Sequence, residues 1–600
     1  MNHYQPRTDD MAFILTQVLR APEQLLALKP YAELDADLLR QVLDESSKFA
    51  GAVVAPLNRV GDEVGAQWAD GQVTMPPGFR DAYQSFWQAG WPALACATED
   101  GGQGLPAVLE ATLYEMLSAA NHGWTMAPGL LHGAYECLKH HGSEALKAEY
   151  LEKIATGEWL ATMCLTEPHA GSDLGLVATR AAPQPDGSYL VSGTKIFISG
   201  GEHDLTDNIV HLVLARLPDA SAGPKGLSLF LAPKLLPEGK RNSVHCERIE
   251  EKMGLHGSPT CVMRFDEATA WMIGEPHRGL NAMFVMMNAA RLHVGLQGIG
   301  LLEAAWQKAD AYSQERRQMR APKAKMSSAT DLSVAGPPQD AKAPSGGSVV
   351  REATSVGASL ISEHPAMRRI LSTQRAWIDG GRVLAYRTAV ELDLLKHHPD
   401  ADRRNTAQRW CSLVTPVLKA AWTAQAFNGA SECLQVFGGH GYVREWGIEQ
   451  IVRDARVTMI YEGTNEIQAI DLLVRKVVPD AGAGLFTLLQ TLSDDLPPHV
   501  APHAQFMDQV AALRQVTERL VPAAAGDPQL LYWVADDYLR ALALCLMSWA
   551  WIQIDQAVAA DASKKPSTRW AEPASAVKHW VLPEFAMRLH IINERLQTSA

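Results

Sequence analysis

The chain has 600 residues, of which 47% are apolar and 20% charged, and its formal net charge is −13. This length exceeds a single hydrophobic core and this composition excludes a largely disordered chain, so three or four folded units are expected. The negative charge argues against a nucleic-acid surface, although it allows a local basic pocket for a phosphorylated ligand.

The eight cysteines are scattered, with no CxxC pair and no Cys/His spacing typical of a metal site. We expect reduced, buried thiols in a cytoplasmic protein without a metal. The N-terminus lacks the basic and then apolar pattern of a signal peptide. The longest apolar run, residues 541–554, is too short to span a bilayer, so we interpret it as core and expect no membrane insertion.

Residues 1–160 are predicted to form an N-terminal helical domain. Within it, Leu38, Val42, Phe49 and Val53 recur at spacings of four or seven. This spacing puts the four side chains on one face of a helix.

From about residue 161 the pattern changes to short β-rich runs separated by Gly, Pro and Asp. The turn Pro185-Asp186-Gly187 is predicted to join 177–181 to 189–199 in a hairpin. Residues 161–279 are therefore predicted to form a central β domain. It lies between helical blocks, which is not the alternating order of a parallel sheet.

Helical spacing returns over 280–475, which we predict to be a second helical domain. Within it, residues 320–360 are rich in Ala, Pro, Gly, Ser and Lys and are predicted to be an insertion. Amphipathic patterns continue through 476–600, a further helical domain. The predicted fold class is thus mainly α with a central β domain.

A carboxylate, Glu462, interrupts an apolar and β-branched run. One interpretation is a helix start, with Thr464 or Asn465 as N-cap and Glu466 in the first turn, where the helix dipole favours an anion. The other is that Glu462 lies in an apolar cavity, where burial raises its pKa towards neutrality and makes it a general base. Gly463 would then let a ligand approach the backbone closely.

Two stretches of the β domain carry groups that could bind a flavin. Residues 163–173 combine hydroxyls, a Gly-Ser pair and a Pro-fixed turn, which suits a flavin edge or a phosphate and is also found in plain turns. Residues 195–199 place Phe197 and Ser199 on one side of a strand. That pattern suits an isoalloxazine ring, and a core strand produces it too.

Six segments together give a specific resemblance. In order and spacing they resemble the acyl-CoA dehydrogenase family over about residues 30–475. The resemblance implies a helical N-terminal domain, a middle β-barrel or sandwich and a C-terminal four-helix bundle. It also implies an extra C-terminal helical domain, as in the enlarged subgroup that includes 3-methylmercaptopropionyl-CoA dehydrogenases and broad-specificity bacterial fatty acyl-CoA dehydrogenases. The segments are LTEPHAGSD (165–173), KIFISGG (195–201), KMGLHGSPT (252–260), YSQERRQ (312–318), LQVFGGHGY (434–442) and IVRDARVTMIYEGTNEIQ (451–468).

The resemblance implies a role for each matching residue. Glu462 matches the catalytic base, while Ala290 stands where some members carry that carboxylate and cannot take a proton. Arg316 would reach the FAD pyrophosphate of the neighbouring subunit, and Gln435 and Gly439 would contact its adenosine. The remaining implied FAD contacts are Leu165, Thr166, Gly171, Ser172, Phe197 in place of the usual Trp, Ser199, Thr464, and Glu466 in place of a frequent Gln; the implied substrate contacts are Ser172, Asn288, Arg291 and Gly463.

The implied reaction is α,β-dehydrogenation of an acyl-CoA, either a fatty acyl-CoA or 3-methylmercaptopropionyl-CoA, to a trans-2-enoyl-CoA. Glu462 would take the α-proton, FAD would accept the β-hydride, and an electron-transfer flavoprotein would receive the electrons. Because Arg316 is expected to act across a subunit boundary, a homodimer or a dimer of dimers is expected. Two alternatives keep the fold: an acyl-CoA oxidase that uses oxygen, and a DNA-associated alkylation-response flavoprotein. The second is opposed by the acidic total charge and by the absence of a dense Lys/Arg stripe in 476–600.

Overall fold

The computed structural model describes residues 4–322, 357–496, 501–560 and 568–598. Most of the predicted insertion, residues 323–356, lies outside the described residues. The side chains of Asn288 and of residues 501, 502 and 568 lie outside them as well.

The N-terminal domain is helical, with one small β-hairpin. The predicted helix forms, but its buried stripe runs through Leu39 and Leu43, while Leu38 and Val42 are only partly buried. Phe49 is buried as predicted. At Leu38 and Val42 the prediction was offset by one residue, because apolar residues stand side by side at 38–39 and 42–43 and spacing alone does not choose between them. The elements are α1 Thr8–Phe13, α2 Ala21–Leu25, α3 Ala36–Phe49, α4 Asn58–Val64, β1 Gln67–Ala69, β2 Gln72–Thr74, α5 Phe79–Gln88, α6 Ala107–Ala120, α7 His122–Thr125, α8 Leu131–His141, α9 Glu144–Leu146 and α10 Glu152–Thr156.

The middle domain is a β-barrel. Its strands follow the order β3-β6-β4-β5-β9-β7, and β7 also pairs with β6, which closes the sheet; β8 adds to β9. The predicted hairpin is present, with Pro183 opposite Tyr189, although its first strand begins at Arg180 rather than at 177. The strands are β3 Leu160–Cys164, β4 Arg180–Pro183, β5 Tyr189–Ser199, β6 Ile209–Arg216, β7 Leu227–Pro233, β8 Val244–Ile249 and β9 Thr260–Ile273.

Four long helices form the bundle that follows. The first of them, α11, packs against α6 of the N-terminal domain as well as against α12 and α14. A π-helical turn, Leu418–Trp422, joins the third helix to the fourth. The helices of this domain are α11 Gly279–Glu315, α12 Pro365–His397, α13 Ala401–Val417, α14 Thr423–Phe437, α15 Ile448–Arg456 and α16 Asn465–Ile470.

A buried ion network joins the bundle to α6. The guanidinium of Arg382 on α12 lies 2.6 Å from Glu115 on α6 and 3.2 Å from Glu303 on α11. Arg375, about two helical turns earlier on α12, lies 2.6 Å from Glu303. All four side chains are almost completely excluded from solvent, so each charge depends on its partners.

Further helices, α17 to α21, pack on the bundle. The long α19 contacts α16 and α12. By length and composition alone α19 could cross a membrane, yet 72% of its most apolar stretch is buried inside the protein. That burial supports the interpretation of 541–554 as core. The helices are α17 Ala483–Asp494, α18 Ala501–Gly526, α19 Leu530–Ala560, α20 Thr568–Ala576 and α21 Glu584–Thr598.

Candidate active site

The loop before α16 carries the candidate base. Thr464 is the N-cap of α16, and its hydroxyl accepts a hydrogen bond of 3.3 Å from the backbone N–H of Ile467, as the helix-start interpretation predicts. Glu462 lies just outside the helix with φ +54°, and Gly463 follows with φ +82°. A left-handed backbone is unfavourable for a residue with a side chain, so this conformation needs support from its surroundings.

Side chains from two helices provide that support. Gln468 Nε2 donates to the carbonyl of Glu462 at 2.9 Å. Lys419 Nζ, from the π-helical turn, donates to the carbonyl of Gly463 at 2.7 Å and to Asn465 Oδ1 at 3.0 Å. Asn465 Nδ2 in turn donates to the carbonyl of Ala420 at 3.0 Å. Both carbonyls of the loop are therefore held by side chains.

The Glu462 carboxyl is set up to exchange a proton near neutral pH. Burial raises its pKa to about 7, and the cations of Arg291 and Lys419 oppose that rise. Ala290, one residue before Arg291, is buried and has no ionisable group. Thr464 thus caps the helix, as the first interpretation predicts. The raised pKa of Glu462 is what the second interpretation expects of a general base, and that role stays a prediction.

Tyr461, the residue before the candidate base, has hydrogen-bond partners of its own. The hydroxyl of Tyr461 donates to Gln297 Oε1 at 2.6 Å and lies 3.2 Å from His122 Nε2. Burial lowers the pKa of His122 to about 3, so its imidazole is neutral. The Tyr461 hydroxyl is fixed by partners from α11 and α7 and stays protonated, because burial raises its pKa well above the ordinary value.

The start of the β-barrel presents the predicted flavin-binding stretch. Lys195 Nζ lies 2.8 Å from Glu167 Oε1 and donates to the carbonyl of Leu165 at 3.0 Å. The backbone N–H of Ile196 donates to the carbonyl of Thr166 at 2.9 Å. A buried ion pair and a main-chain bond therefore hold the 165–167 segment against β5.

Phe197 departs from the regular strand that the sequence predicts. The pairing of β5 with β9 shifts between Lys195 and Ile198, and Phe197 has φ +60°. This bulge turns Phe197 outwards, with 60% of its surface exposed, while Ser199 is half-buried. A large exposed aromatic residue at a bulge is typical of a binding surface rather than of a core strand. Gly171 and Ser172 are exposed as well, and Leu165 and Thr166 are partly buried.

Arg316, Gln435 and Gly439 line one cavity of about 410 Å³ at the far end of α11. Its wall is aromatic: Tyr312 stacks on Phe437 with ring centroids 4.3 Å apart. None of the described residues that line this cavity is acidic, and Arg316 is exposed. An open cation beside an aromatic wall suits a phosphate attached to a flat base.

The remaining predicted contacts are those of Arg291, Glu466 and Asn288. Arg291 is buried, its Nη1 lies 3.6 Å from Asp471 Oδ2, and its Nε has no hydrogen-bond partner among the described residues. Glu466 is exposed, and its pKa is raised by partial burial and by Asp536 and Asp537 of α19. Its predicted flavin contact remains a prediction. The predicted contact of Asn288 falls on a side chain outside the described residues.

Sequence reasoning missed the residues that hold the base. Lys419 is one of them, and its signal was available: it is a lone charge within 413–422, a run that is otherwise apolar apart from Thr415. A charged residue in such a run either lies on an exposed helix face or is buried and paired with specific polar groups. Gln297 and His122 left no comparable signal, because they meet Tyr461 from residues 164 and 339 positions away.

Three family models cover most of the chain. They describe the N-terminal, middle and C-terminal domains of acyl-CoA dehydrogenases and match residues 39–158, 162–268 and 348–476. A 3-methylmercaptopropionyl-CoA dehydrogenase of Ruegeria pomeroyi is 41% identical over 90% of this chain and 87% of its own. The chain belongs to the acyl-CoA dehydrogenase family. The enzyme class and the cofactor FAD that the resemblance implied are those of this family.

Other acyl-CoA dehydrogenase relatives extend the similarity. A broad-specificity linear acyl-CoA dehydrogenase of Mycobacterium tuberculosis is 34% identical over 81% of this chain and 77% of its own. Among solved structures, Caenorhabditis elegans ACDH-11 in complex with C11-CoA has a TM-score of 0.72 at 21% identity and covers 94% of this chain and 90% of its own. An acyl-CoA dehydrogenase from Bacillus anthracis complexed with FAD has a TM-score of 0.70 at 18% identity and covers 98% of this chain and 95% of its own. These neighbours confirm the predicted fold.

The residues of this acyl-CoA dehydrogenase fit FAD. The cavity at Arg316 offers a cation for a pyrophosphate and an aromatic wall for an adenine. At the barrel, the exposed Phe197 and the partly buried Thr166 offer an apolar face and a hydroxyl for the ring system. Phe197 and Arg316 are exposed, and Thr166 is partly buried.

Proposed function

We propose that this protein catalyses the FAD-dependent α,β-dehydrogenation of an acyl-CoA thioester to the trans-2-enoyl-CoA, with Glu462 as the base. The observation that carries the proposal is the Glu462 loop: a carboxyl with a pKa of about 7, in a left-handed backbone held by Gln468 and Lys419. A base of this pKa is largely ionised just above neutral pH and still basic enough to accept a proton.

The protein supplies both proton acceptance and charge stabilisation. The α-proton of a thioester is too weakly acidic for a carboxylate unless the charge that develops on the thioester oxygen is stabilised. The backbone N–H of Glu462 makes no hydrogen bond to any described residue, so it can donate to that oxygen. A fixed donor in a dry site contributes about 3–4 kcal/mol to such stabilisation. FAD, when bound, supplies the acceptor for the β-hydride.

We propose a fatty acyl-CoA or 3-methylmercaptopropionyl-CoA as substrate, on the strength of the two relatives named for such reactions. The methionine cluster of α11 does not decide between them. Met283 and Met286 are completely buried, and a Cβ added at Gly133 would lie 2.9 Å from Met286 Cγ. These two side chains pack in the core of the structure, so they do not identify the acyl chain.

The electron acceptor, assembly and location complete the proposal. We propose an electron-transfer flavoprotein as acceptor, a homodimer in which Arg316 binds the FAD of the second subunit, and a cytoplasmic location. The alternative of a DNA-associated flavoprotein receives no support from the C-terminal helices. Arg540 and Arg588 there are paired with Glu584, and Arg588 also with Asp537, so they are not free for phosphates.

Anaerobic bleaching of the flavin absorption tests the function. Wild type and Glu462→Gln are titrated with a panel of acyl-CoAs that includes 3-methylmercaptopropionyl-CoA and straight chains of increasing length. We expect some thioesters to bleach wild type and none to bleach Glu462→Gln at equal FAD content. FAD-loaded wild type that no thioester bleaches would contradict the proposal. Rapid reoxidation by air with stoichiometric peroxide would instead identify an oxidase.

A further inference from the structure

Lys419 is a completely buried lysine whose hydrogen bonds go to the loop of the base. Its ammonium donates to the carbonyl of Gly463 and to the side chain of Asn465, at 2.7 and 3.0 Å. Removing an ammonium from water costs several kcal/mol. A methionine, one atom shorter, would fill most of this space without that cost, so packing does not explain the lysine.

The hydrogen bond from Lys419 is one of several that hold the side chain of Asn465. Asn465 Oδ1 also accepts a hydrogen bond of 3.1 Å from the hydroxyl of Thr423, and Asn465 Nδ2 donates to the carbonyl of Ala420. The start of α14 and the π-helical turn thus fix the residues on the C-terminal side of Glu462. Because Glu462 has a left-handed backbone, loss of these bonds lets the loop relax towards an ordinary conformation.

Two cations act on the Glu462 carboxyl: Arg291 lowers its pKa the most, and Lys419 lowers it as well. Glu462 in turn is the carboxylate that opposes the fall in the pKa of Lys419. Arg291 also lies 3.6 Å from Asp471, which has Lys476 at 3.1 Å. Arg291 thus has a second carboxylate beside it, whereas the hydrogen bonds of the Lys419 ammonium go to the loop of Glu462.

The other ionisable groups around Glu462 do not supply a charge at neutral pH. Tyr461 stays protonated and His122 stays neutral, since burial shifts the pKa of each away from the neutral range. Burial likewise lowers the pKa of Lys419 to about 7, while Glu462 opposes that fall. Each of the two charges therefore favours the other: Glu462 opposes the fall in the pKa of Lys419, and Lys419 opposes the rise in that of Glu462.

We propose that Lys419 is a positioning residue for the catalytic base: its ammonium fixes the left-handed loop and, beside Arg291, supplies a cation that keeps the Glu462 carboxylate ionised once substrate has excluded water. The inference rests on the proposed function, since it assigns Lys419 to the same reaction. It makes two separable claims, one about loop geometry and one about charge.

Three substitutions separate the two claims. Lys419→Met removes both the donor and the charge, Lys419→Gln keeps a donor without the charge, and Thr423→Val loosens Asn465 while leaving the charge in place. The pH profile of kcat/KM is measured for the FAD-loaded variants with a thioester that bleaches wild type. For both Lys419 variants we expect the acid limb to move up by about 1 pH unit, as for a carboxylate that loses a nearby cation. For Thr423→Val we expect a lower kcat with the limb unmoved.

An infrared titration gives a second readout that does not depend on turnover. The protonated-carboxyl band of Glu462 is identified by its loss in Glu462→Gln, and its midpoint is followed with pH in wild type and in each variant. We expect the midpoint to rise in both Lys419 variants and to stay in Thr423→Val. If Lys419→Met fails to fold, Lys419→Gln carries the same expectation.

If the acid limb of the kcat/KM profile and the infrared midpoint are unchanged in the Lys419 variants, the claim about charge is overturned. If kcat is unchanged in Thr423→Val and Lys419→Met, the claim about loop geometry is overturned. If no thioester bleaches wild type, the proposed function fails. The infrared midpoints would then still decide whether Lys419 controls the ionisation of Glu462.

Discussion

Arg382→Met is expected to destabilise the protein strongly, because it leaves a buried carboxylate without a cation. Arg382 is completely buried, and its guanidinium lies 2.6 Å from Glu115. Glu303, its other close partner, keeps Arg375 at 2.6 Å. Among the described residues, Glu115 keeps the hydroxyl of Tyr386 as its side-chain hydrogen-bond partner, at 2.5 Å. The uncompensated charge therefore falls on Glu115, and removing one partner of a buried pair costs about 3–5 kcal/mol of the free energy of unfolding.

The loss should depend on pH. Burial already holds the pKa of Glu115 above its ordinary value in the presence of Arg382, and loss of the cation raises it further. The folded variant then binds a proton that the unfolded chain has released, so its stability falls as pH rises above the ordinary glutamate range. The deficit relative to wild type is expected to be larger at pH 8 than at pH 5.

Thermal and denaturant unfolding of the FAD-loaded protein at both pH values checks this reasoning. Arg264→Met is the matched control, since Arg264 is half-exposed and paired with Glu247 at the surface, where such a pair is worth about 0–1 kcal/mol. Arg382→Met with Glu115→Gln should recover most of the loss. A single variant as stable as the control, or a deficit that grows as the pH is lowered, would refute the argument.

Three further substitutions test the site. Phe197→Ala should reduce FAD retention on gel filtration while changing the unfolding temperature of the apoprotein little, because Phe197 is 60% exposed; an equal fall in apoprotein stability would contradict this. Gly463→Ala should lower kcat, since Gly463 has φ +82° and an added Cβ would lie 2.8 Å from Gln468 Nε2; wild-type turnover would show that the loop has room. Glu167→Gln leaves the buried Lys195 unpaired and should lower both the unfolding temperature and the ratio of visible to ultraviolet absorbance; an unchanged ratio would exclude a role in flavin binding.

The parts of the fold that depend on local pattern could be predicted from the sequence. Strand β5 occupies Tyr189–Ser199 as expected, because alternation and a Pro-Asp-Gly turn are encoded within a few residues. The bulge that exposes Phe197 could not be predicted, because it arises from the pairing of β5 with β9, whose residues lie about 65 to 80 positions later. Long-range pairing also closes the barrel through β6 and β7.

The same division applies to the candidate site. Glu462 and Thr464 stand in a recognisable segment, so both the capping and the base interpretation could be read locally. The residues that hold this loop in place do not all lie near it in the sequence. Gln468 lies in the first turn of the helix that follows the loop. Lys419 contacts Asn465 from 46 positions away, and it lies in the π-helical turn. A π-helical turn is a local irregularity that the periodicity of the sequence does not predict.

The position of the base relative to its helix explains why one loop serves two purposes. A helix N-terminus with a capping Thr464 fixes the backbone immediately after Gly463. Glu462 stands before that cap in a left-handed backbone, so Thr464 and not the carboxylate occupies the capping position. Burial raises the pKa of Glu462 towards neutrality, and the two cations from α11 and the π-helical turn limit that rise. If Glu462 is the base that we propose, the pH at which it ionises depends on its burial and on Arg291 and Lys419, and the identity of the base alone does not determine it.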